Sequence, residues 1–151
     1  MGKNRMNICG HWECQSKRES WLNHSIGLDS DSEFIVKWIN EGQPINWSAH
    51  VDMREGQRRI PAFHSKDALE NGYCINRVKY TDARFGKVTK LTWLGYVKVD
   101  KGQYRPLHLI IKISRKDGMT PVTIATVYDP STKPWMWNQD FTLKVCFEEQ
   151  P

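Results

Sequence analysis

The sequence predicts an α+β protein in which N-terminal helices pack on one face of a curved antiparallel sheet of four to five strands. Two observations predict this class. Apolar residues recur at helical spacing up to the stop signal Asn71-Gly72, and β-branched and aromatic residues dominate the runs that follow it. Short turns such as Asp100-Lys101-Gly102 separate several of these runs, and short connections favour antiparallel hairpins.

Length and composition limit the kind of protein. The chain has 151 residues, of which 39% are hydrophobic and 26% are charged, as is ordinary for a globular domain. No apolar run approaches the roughly 20 residues of a membrane span, and the first residues lack the apolar stretch of a signal peptide. We therefore expect no membrane partner and no export by an ordinary signal peptide.

The predicted organisation is a lead-in followed by one domain. Residues 1–45 are predicted to be a polar lead-in with one helix over about residues 33–41, which capping residues precede and Gly42 ends. Residues 46–151 are predicted to form the domain. This domain is expected to open with a helix over about residues 46–58 and to continue with a shorter helix over about residues 64–70.

Five runs after Gly72 are the predicted strands, namely Tyr73–Tyr80, Thr89–Val99, Tyr104–Ser114, Val122–Tyr128 and Phe141–Phe147. Thr126 and Tyr128 are two residues apart in the fourth strand, so they are expected to share one face, together with Ile124. Two adjacent hydroxyl groups can orient a phosphate oxygen or donate a proton. The alternative is a tyrosine that packs at the end of its strand.

Positive charge is concentrated in the middle of the chain. Residues 46–118 contain 15 Lys and Arg against 7 Asp and Glu, whereas both flanks are slightly acidic. A basic segment within a folded domain favours a polyanionic partner, and nucleic acid is the simplest one. Lys79 of this segment is accordingly a candidate RNA-binding residue. The alternative is a solvated, lysine-rich surface.

The helix predicted over residues 46–58 carries three cations in a row. His50, Arg54 and Arg58 recur every fourth residue and therefore share one face. Aligned cations favour an anion between them, such as a phosphate diester, which arginine binds through two N–H donors. His50 titrates near neutral pH and can act as a general acid or base. Arginines paired with nearby carboxylates, and a structural histidine, are the alternatives.

Two further candidates have two interpretations each. His108 either lies beside Tyr128 across an antiparallel strand pair or is a hydrogen-bonded core histidine, and its leucine-rich surroundings favour the core. Trp137 follows Pro134 in a loop and either stacks on a base or covers the hydrophobic core. With Arg58, both are retained as candidate RNA-binding residues.

The four cysteines form only a weak metal motif. Cys9-Gly-His11-Trp-Glu-Cys14 is similar to half of a zinc site, but no second close Cys/His pair follows it. Cys74 and Cys146 lie in apolar runs and are predicted to be small core residues. We therefore predict no bound metal and no other cofactor.

Four short motifs together resemble a small bacterial domain family. They are His50-x-x-x-Arg54-x-x-x-Arg58-x-Ile60-Pro61, Ala68-Leu69-Glu70-Asn71-Gly72, Leu107-His108-Leu109-Ile110-Ile111, and Thr123-Ile124-x-Thr126-Val127-Tyr128-x-Pro130 followed by Trp137. The family is similar to the superfamily of barnase, EndoU, colicin nuclease and RelE folds, whose members are often metal-independent ribonuclease toxins. The resemblance covers roughly residues 46–138.

The resemblance implies an endoribonuclease toxin that cleaves tRNA or another cellular RNA, without metal, by attack of the 2′-hydroxyl. The predicted catalytic residues are His50, Arg54, Thr126 and Tyr128. A cognate immunity protein or antitoxin is the implied partner, and the cytoplasm of the producing or target bacterial cell is the implied location. The chain is then a free toxin or the C-terminal part of a larger delivered one. The alternative function is a non-catalytic nucleic-acid-binding or phage interaction module on the same scaffold.

Overall fold

Three helices and a five-stranded sheet make up the described part of the chain, so the predicted α+β class is confirmed. The computed structural model describes residue 9, residues 12–49, residue 51, residues 60–114 and residues 121–148. The helices are α1 (Trp12–Asn23), α2 (Asp29–Asn40) and α3 (Ala62–Asn71). The strands are β1 (Asn46–Trp47), β2 (Tyr73–Asp82), β3 (Gly86–Asp100), β4 (Gln103–Ser114) and β5 (Val122–Tyr128).

The sheet is an antiparallel meander with one parallel strand added at its edge. Its spatial order is β1-β5-β4-β3-β2, and β2 to β5 pair antiparallel as predicted. The two residues of β1 pair parallel to Thr123 and Ile124 of β5, so the sheet is mixed rather than wholly antiparallel.

The strand predicted over Phe141–Phe147 is wrong. Trp137 and Lys144 form an isolated bridge, but residues 141–147 contain no strand. The reason is local: the side-chain oxygen of Asn138 accepts hydrogen bonds from the backbone N–H groups of Thr142 and Leu143, at 2.9 and 3.1 Å. These bonds fold the segment into a turn. The backbone N–H groups that form them are no longer available for hydrogen bonds to a neighbouring strand.

The second helix does not begin at Asn46 as predicted, because Asn46 and Trp47 form β1. Ser48 ends the strand and caps the helix: its Oγ accepts a hydrogen bond from the N–H of Val51 at 3.3 Å. Ala49 and Val51 are helical. His50, Arg54 and Arg58 lie outside the described residues.

Residues 12–40 contain two helices where the sequence predicts one. Helix α1 is missed because its apolar residues form no stripe at helical spacing. Helix α2 covers the predicted helix but begins earlier, at Asp29. No helix of the described segments has the length and apolar character that a membrane span needs.

The helices pack on both faces of the sheet rather than on one. Helices α2 and α3 cover the first face, where Trp93 is fully buried and donates a hydrogen bond from Nε1 to the carbonyl of Ala68 at 3.1 Å. On the second face, the side-chain amide of Asn76 in β2 donates to the carbonyl of Trp21 in α1 at 3.0 Å. We call these the helix face and the α1 face. The C-terminal segment, residues 134–148, lies with α1 on the α1 face, since Arg18 donates to the carbonyl of Val145 at 2.8 Å.

Candidate active site

A β-bulge at Ala125 decides which side chains of β5 face the site. In the register with β4, Ile111 lies opposite Ile124 whereas Ile110 lies opposite Thr126, so Ala125 is an extra residue. An extra residue resets the alternation of side chains along a strand. Thr126 and Tyr128 consequently share the α1 face, as the spacing predicts. Ile124 does not share it: it is fully buried in the core of the helix face.

Tyr128 forms a hydrogen-bonded chain with a buried histidine. His108 is directly opposite Tyr128 in the β4–β5 pair, and its Nδ1 lies 3.2 Å from the Tyr128 hydroxyl. The other ring nitrogen, Nε2, lies 2.8 Å from the carbonyl oxygen of Phe141. A carbonyl oxygen only accepts, so Nε2 carries the proton and Nδ1 accepts the hydroxyl proton of Tyr128.

The electrostatics of His108 agree with this assignment. Burial lowers its pKa from 6.5 to about 4, against the opposing effects of the Phe141 carbonyl and the Asp129 carboxylate. Lys144 lowers the pKa further. His108 is therefore neutral at pH 7, which is the form that can accept a hydrogen bond from Tyr128.

The carbonyl that holds His108 belongs to a residue in an unusual backbone conformation. Phe141 has φ 63°, a left-handed conformation that non-glycine residues seldom adopt. Its N–H donates to the carbonyl of Asn138 at 3.2 Å, and Asn138 also holds the next two residues of the turn. The turn thus holds the Phe141 carbonyl within hydrogen-bonding distance of Nε2 of His108, and this contact determines the tautomer of His108.

Tyr128 lines a pocket of about 440 Å³ whose charge suits an anion. The lining residues are Tyr128, Asp129, Pro130, Thr132, Lys133, Met136, Trp137 and Lys144. The carboxylate of Asp129 is already engaged: it accepts hydrogen bonds from Arg105 at 2.7 Å and from the backbone N–H of Ser131 at 2.8 Å. Lys133 and Lys144 add two positive charges to the lining, and the negative charge of a phosphate group is complementary to them.

Two of the predicted RNA-binding residues are buried. His108 has no accessible surface, so direct RNA contact is not supported and the core interpretation fits the structure. Trp137 is only 7% exposed, and its ring packs edge-to-face on His108 and on Trp21, with centroid distances of 4.4 and 5.5 Å. Trp137 thus covers His108, and it has no exposed ring face on which a base could stack.

The third described candidate lies elsewhere. Lys79 is exposed on β2 and lines a second pocket, of about 660 Å³, at the β2–β3 turn. In the register of the sheet, Lys79 pairs with Thr89 of β3, which in turn pairs with Ile113 of β4. Tyr128 instead pairs with His108 of β4. Ile113 and His108 are about 17 Å apart along β4, and three strand spacings separate β2 from β5. The structure therefore does not bring Lys79 and Tyr128 together.

The remaining candidates, His50, Arg54 and Arg58, lie outside the described residues, but the residue two positions before His50 is anchored beside the bulge. The Oγ of Ser48 donates to the carbonyl of Ala125 at 3.1 Å, next to Thr126. Val51 is fully buried in the core of the helix face, opposite the face that Thr126 and Tyr128 occupy.

Sequence reasoning misses several functional groups of this site. Lys133 and Lys144 stand in a slightly acidic flank, and no local pattern marks either of them. The Phe141 carbonyl is a backbone group, which carries no side-chain signal. The Asp129-Pro130-Ser131 turn is the exception, since Asp before Pro is a recognisable cap and turn signal.

In comparisons with known proteins, no family model, curated protein or solved structure matched the chain.

Proposed function

We propose that the protein is an endoribonuclease toxin that cleaves tRNA or another cellular RNA by attack of a 2′-hydroxyl on the adjacent phosphate, without a catalytic metal. The observation that carries the proposal is the hydrogen-bonded chain from Tyr128 through His108 to the Phe141 carbonyl, at the wall of a pocket with two lysines. The motif resemblance of residues 46–138 supports the same activity.

The assigned tautomer of His108 sets the direction of proton transfer between Tyr128 and His108. Because the hydroxyl proton of Tyr128 points to Nδ1 of His108, the phenol oxygen can accept the proton of the 2′-hydroxyl while its own proton moves to His108. The resulting imidazolium keeps its bond to the Phe141 carbonyl. A phosphate in the pocket opposes the effect of burial on His108, since a nearby negative charge favours the imidazolium.

The remaining steps need positive charge and a proton donor. As the 2′-oxygen bonds to phosphorus, charge builds on the phosphoryl oxygens, and the ammonium groups of Lys133 and Lys144 stabilise it. The bond from phosphorus to the 5′-oxygen then breaks, and that oxygen takes a proton. His50 is our candidate donor, and Arg54 is our candidate for a further phosphate contact. The products are a 2′,3′-cyclic phosphate and a 5′-hydroxyl.

A cytotoxic ribonuclease requires a neutralising partner. We propose an immunity protein or antitoxin that is acidic where it meets residues 46–118, since complementary charge accelerates association. The site of action is the cytoplasm of the producing or target bacterial cell.

The test is incubation of the purified chain with total tRNA in EDTA. We expect discrete fragments that end in a cyclic phosphate. A gel shift without fragments contradicts the enzyme and supports the non-catalytic nucleic-acid-binding module. Thermal melting in the same buffer is the control, because it separates an effect of the chelator on folding from an effect on the reaction.

A further inference from the structure

Three cysteines meet at the junction of α1 and the C-terminal segment. The Sγ atoms of Cys9, Cys14 and Cys146 all lie within 4.8 Å of one another, although the first two and the third come from opposite ends of the chain. Cys14 and Cys146 are fully buried and Cys9 is partly exposed. None of the three forms a disulfide bond.

The spacing of the sulfur atoms is close to that of a tetrahedral thiolate site. With zinc–sulfur distances of about 2.3 Å, two sulfur ligands of one ion lie about 3.8 Å apart. The three sulfurs need to approach one another by no more than about 1 Å to reach that geometry. Cys14 is also oriented by its surroundings, because the backbone N–H of Phe147 donates to its Sγ at 3.3 Å. Such outer hydrogen bonds are typical of metal-binding sulfurs.

We propose that Cys9, Cys14 and Cys146 bind one Zn²⁺ ion, which ties the start of α1 to the C-terminal segment. Soft thiolate ligands select zinc over magnesium or calcium. The sequence analysis predicts no metal because Cys9 and Cys14 supply only half a motif; the fold brings in Cys146. His11, two residues after Cys9, is the candidate fourth ligand from the sequence, and it lies outside the described residues.

The lysines around the cluster suit a bound zinc–thiolate complex. A divalent cation deprotonates its sulfur ligands, so one Zn²⁺ is bound by three negative sulfurs. The resulting complex has a net negative charge, and Lys17 and Lys144 lie nearby, with Nζ 5.9 and 4.8 Å from the centre of the Phe147 ring.

The role of this ion is structural. The segment that it holds carries Trp137 and Lys144, which line the pocket of Tyr128, and the Phe141 carbonyl, which contacts His108. The other ties between α1 and this segment include hydrogen bonds from Arg18 to Val145 and from Trp21 to Thr142. Zinc therefore stabilises the site without taking part in RNA cleavage, and the proposal does not depend on that activity.

The first test is the metal content of the full chain, purified without chelator and measured by plasma mass spectrometry. We expect one zinc per chain in the wild type, and its loss from Cys14→Ser and Cys146→Ser. Cys74→Ser is the matched control: this fourth cysteine is also buried, but it lies in β2 and donates to the carbonyl of Asn76. The Cys74→Ser variant should keep one zinc per chain.

The second test uses wild-type protein alone, in case the serine variants do not fold. Cobalt added to the folded apoprotein should give intense visible bands of a tetrahedral ion and thiolate-to-cobalt charge transfer. Zinc should then displace both signals and raise the melting temperature. Folded protein without zinc and without these bands, or a disulfide between any two of the three cysteines, overturns the proposal.

Discussion

At the scale of single residues, the position of one proton on His108 determines what Tyr128 can do. The Phe141 carbonyl requires a proton on Nε2, and this leaves Nδ1 as an acceptor for Tyr128. With the proton directed to His108, Tyr128 is arranged to accept a proton from a substrate rather than to donate one. This differs from a lone tyrosine at a strand end, which has no preferred direction.

Replacing Tyr128 by phenylalanine should remove this function and leave the fold intact. We expect RNA cleavage to fall by about 10²- to 10⁴-fold, the usual contribution of a general acid or base. The measurement is cleavage rate per folded molecule, with thermal melting on the same sample. Tyr104→Phe is the control, because Tyr104 is a tyrosine of β4 that is 61% exposed. Equal rates for the two variants would contradict the role of Tyr128.

His50 and Arg54 are tested by the same paired measurement. We expect His50→Ala to abolish cleavage, and Arg54→Ala to weaken it by about 10- to 100-fold, as the loss of a hydrogen bond to a charged group costs about 1.5 to 3 kcal/mol. His24→Ala, at an exposed histidine, should leave cleavage unchanged. A stably folded His50→Ala protein with full activity would show that the proton donor is another residue.

The buried histidine also predicts how stability depends on pH. The pKa of His108 is about 4 in the folded chain and near 6.5 in the unfolded chain, so between these values only the unfolded chain binds the proton. Its contribution to stability is complete above pH 6.5 and decreases as the pH falls towards 4, by about 3 kcal/mol in total. Lys144, Asp129 and Tyr128 are the charged or titratable groups around it.

Denaturant unfolding between pH 5 and 7 measures this slope. His108→Asn should be less stable at pH 7 but should lose less stability on acidification than the wild type. His24→Ala is the control at an exposed histidine and should keep the wild-type slope. Identical slopes for the wild type and His108→Asn would show that burial does not hold His108 neutral.

At the scale of elements, the contact of α3 with β3 depends on a glycine. A Cβ placed on Gly95 would overlap the backbone of Ala68, with 2.6 Å to its Cα. Gly95→Ala should therefore destabilise the protein by about 1 to 3 kcal/mol, the usual cost of overpacking. Val99→Ala, at an exposed position of the same strand, is the control and should have little effect. A melting temperature equal to that of the wild type would show that α3 can move away from β3 at little cost.

The sequence predicts elements well where hydrophobic pattern and turn signals agree. Strand β5 has its predicted bounds, and β2 to β4 differ from theirs by a few residues at most, because glycine and aspartate turns separate β-branched runs. Helix α3 also agrees, since Pro61 and Asn71-Gly72 delimit it. These signals act on neighbouring residues, so they do not depend on contacts with distant parts of the chain.

Most failures occur where long-range contacts decide the structure; the strand predicted over residues 141–147 is the exception, because the local turn at Asn138 prevents it. Helix α1 has no apolar stripe, and it is held by hydrogen bonds from Arg18 and Trp21 to the C-terminal segment. The bulge at Ala125 follows from pairing with β4, so strict alternation misplaces Ile124. In the candidate site, the sequence pairs Tyr128 with His108 correctly as one alternative, but Lys144 and Cys146 reach their neighbours only through the fold.

At the scale of the whole molecule, the two ends of the chain enclose one side of the sheet. Helix α1 and the C-terminal segment cover the α1 face around His108, and the pocket opens beside them. The basic segment 46–118 supplies β2, β3 and β4. Positive charge is therefore distributed over a large part of the molecule, with Lys133 and Lys144 at the pocket itself.

This distribution predicts strongly salt-dependent RNA binding. Each phosphate that a protein cation neutralises adds about 0.7 to the slope of log affinity against log salt for single strands. Lys133→Gln and Lys144→Gln should each reduce the steepness of this slope by about 0.7. Electrophoretic or fluorescence titrations at several salt concentrations, with a catalytically inactive Tyr128→Phe background, give the slope without cleavage.

The control for this prediction is Lys37→Gln, which removes one positive charge from α2. Lys37 is 76% exposed, pairs with Glu41 at 4.0 Å, and belongs to a helix on the opposite face of the sheet. If the ligand is held by direct phosphate contacts in the pocket, the slope of log affinity against log salt becomes less steep in Lys133→Gln and Lys144→Gln. The slope then stays unchanged in Lys37→Gln. Equal losses for all three variants would indicate attraction by net charge alone, and binding that does not change with salt would exclude nucleic acid as the ligand.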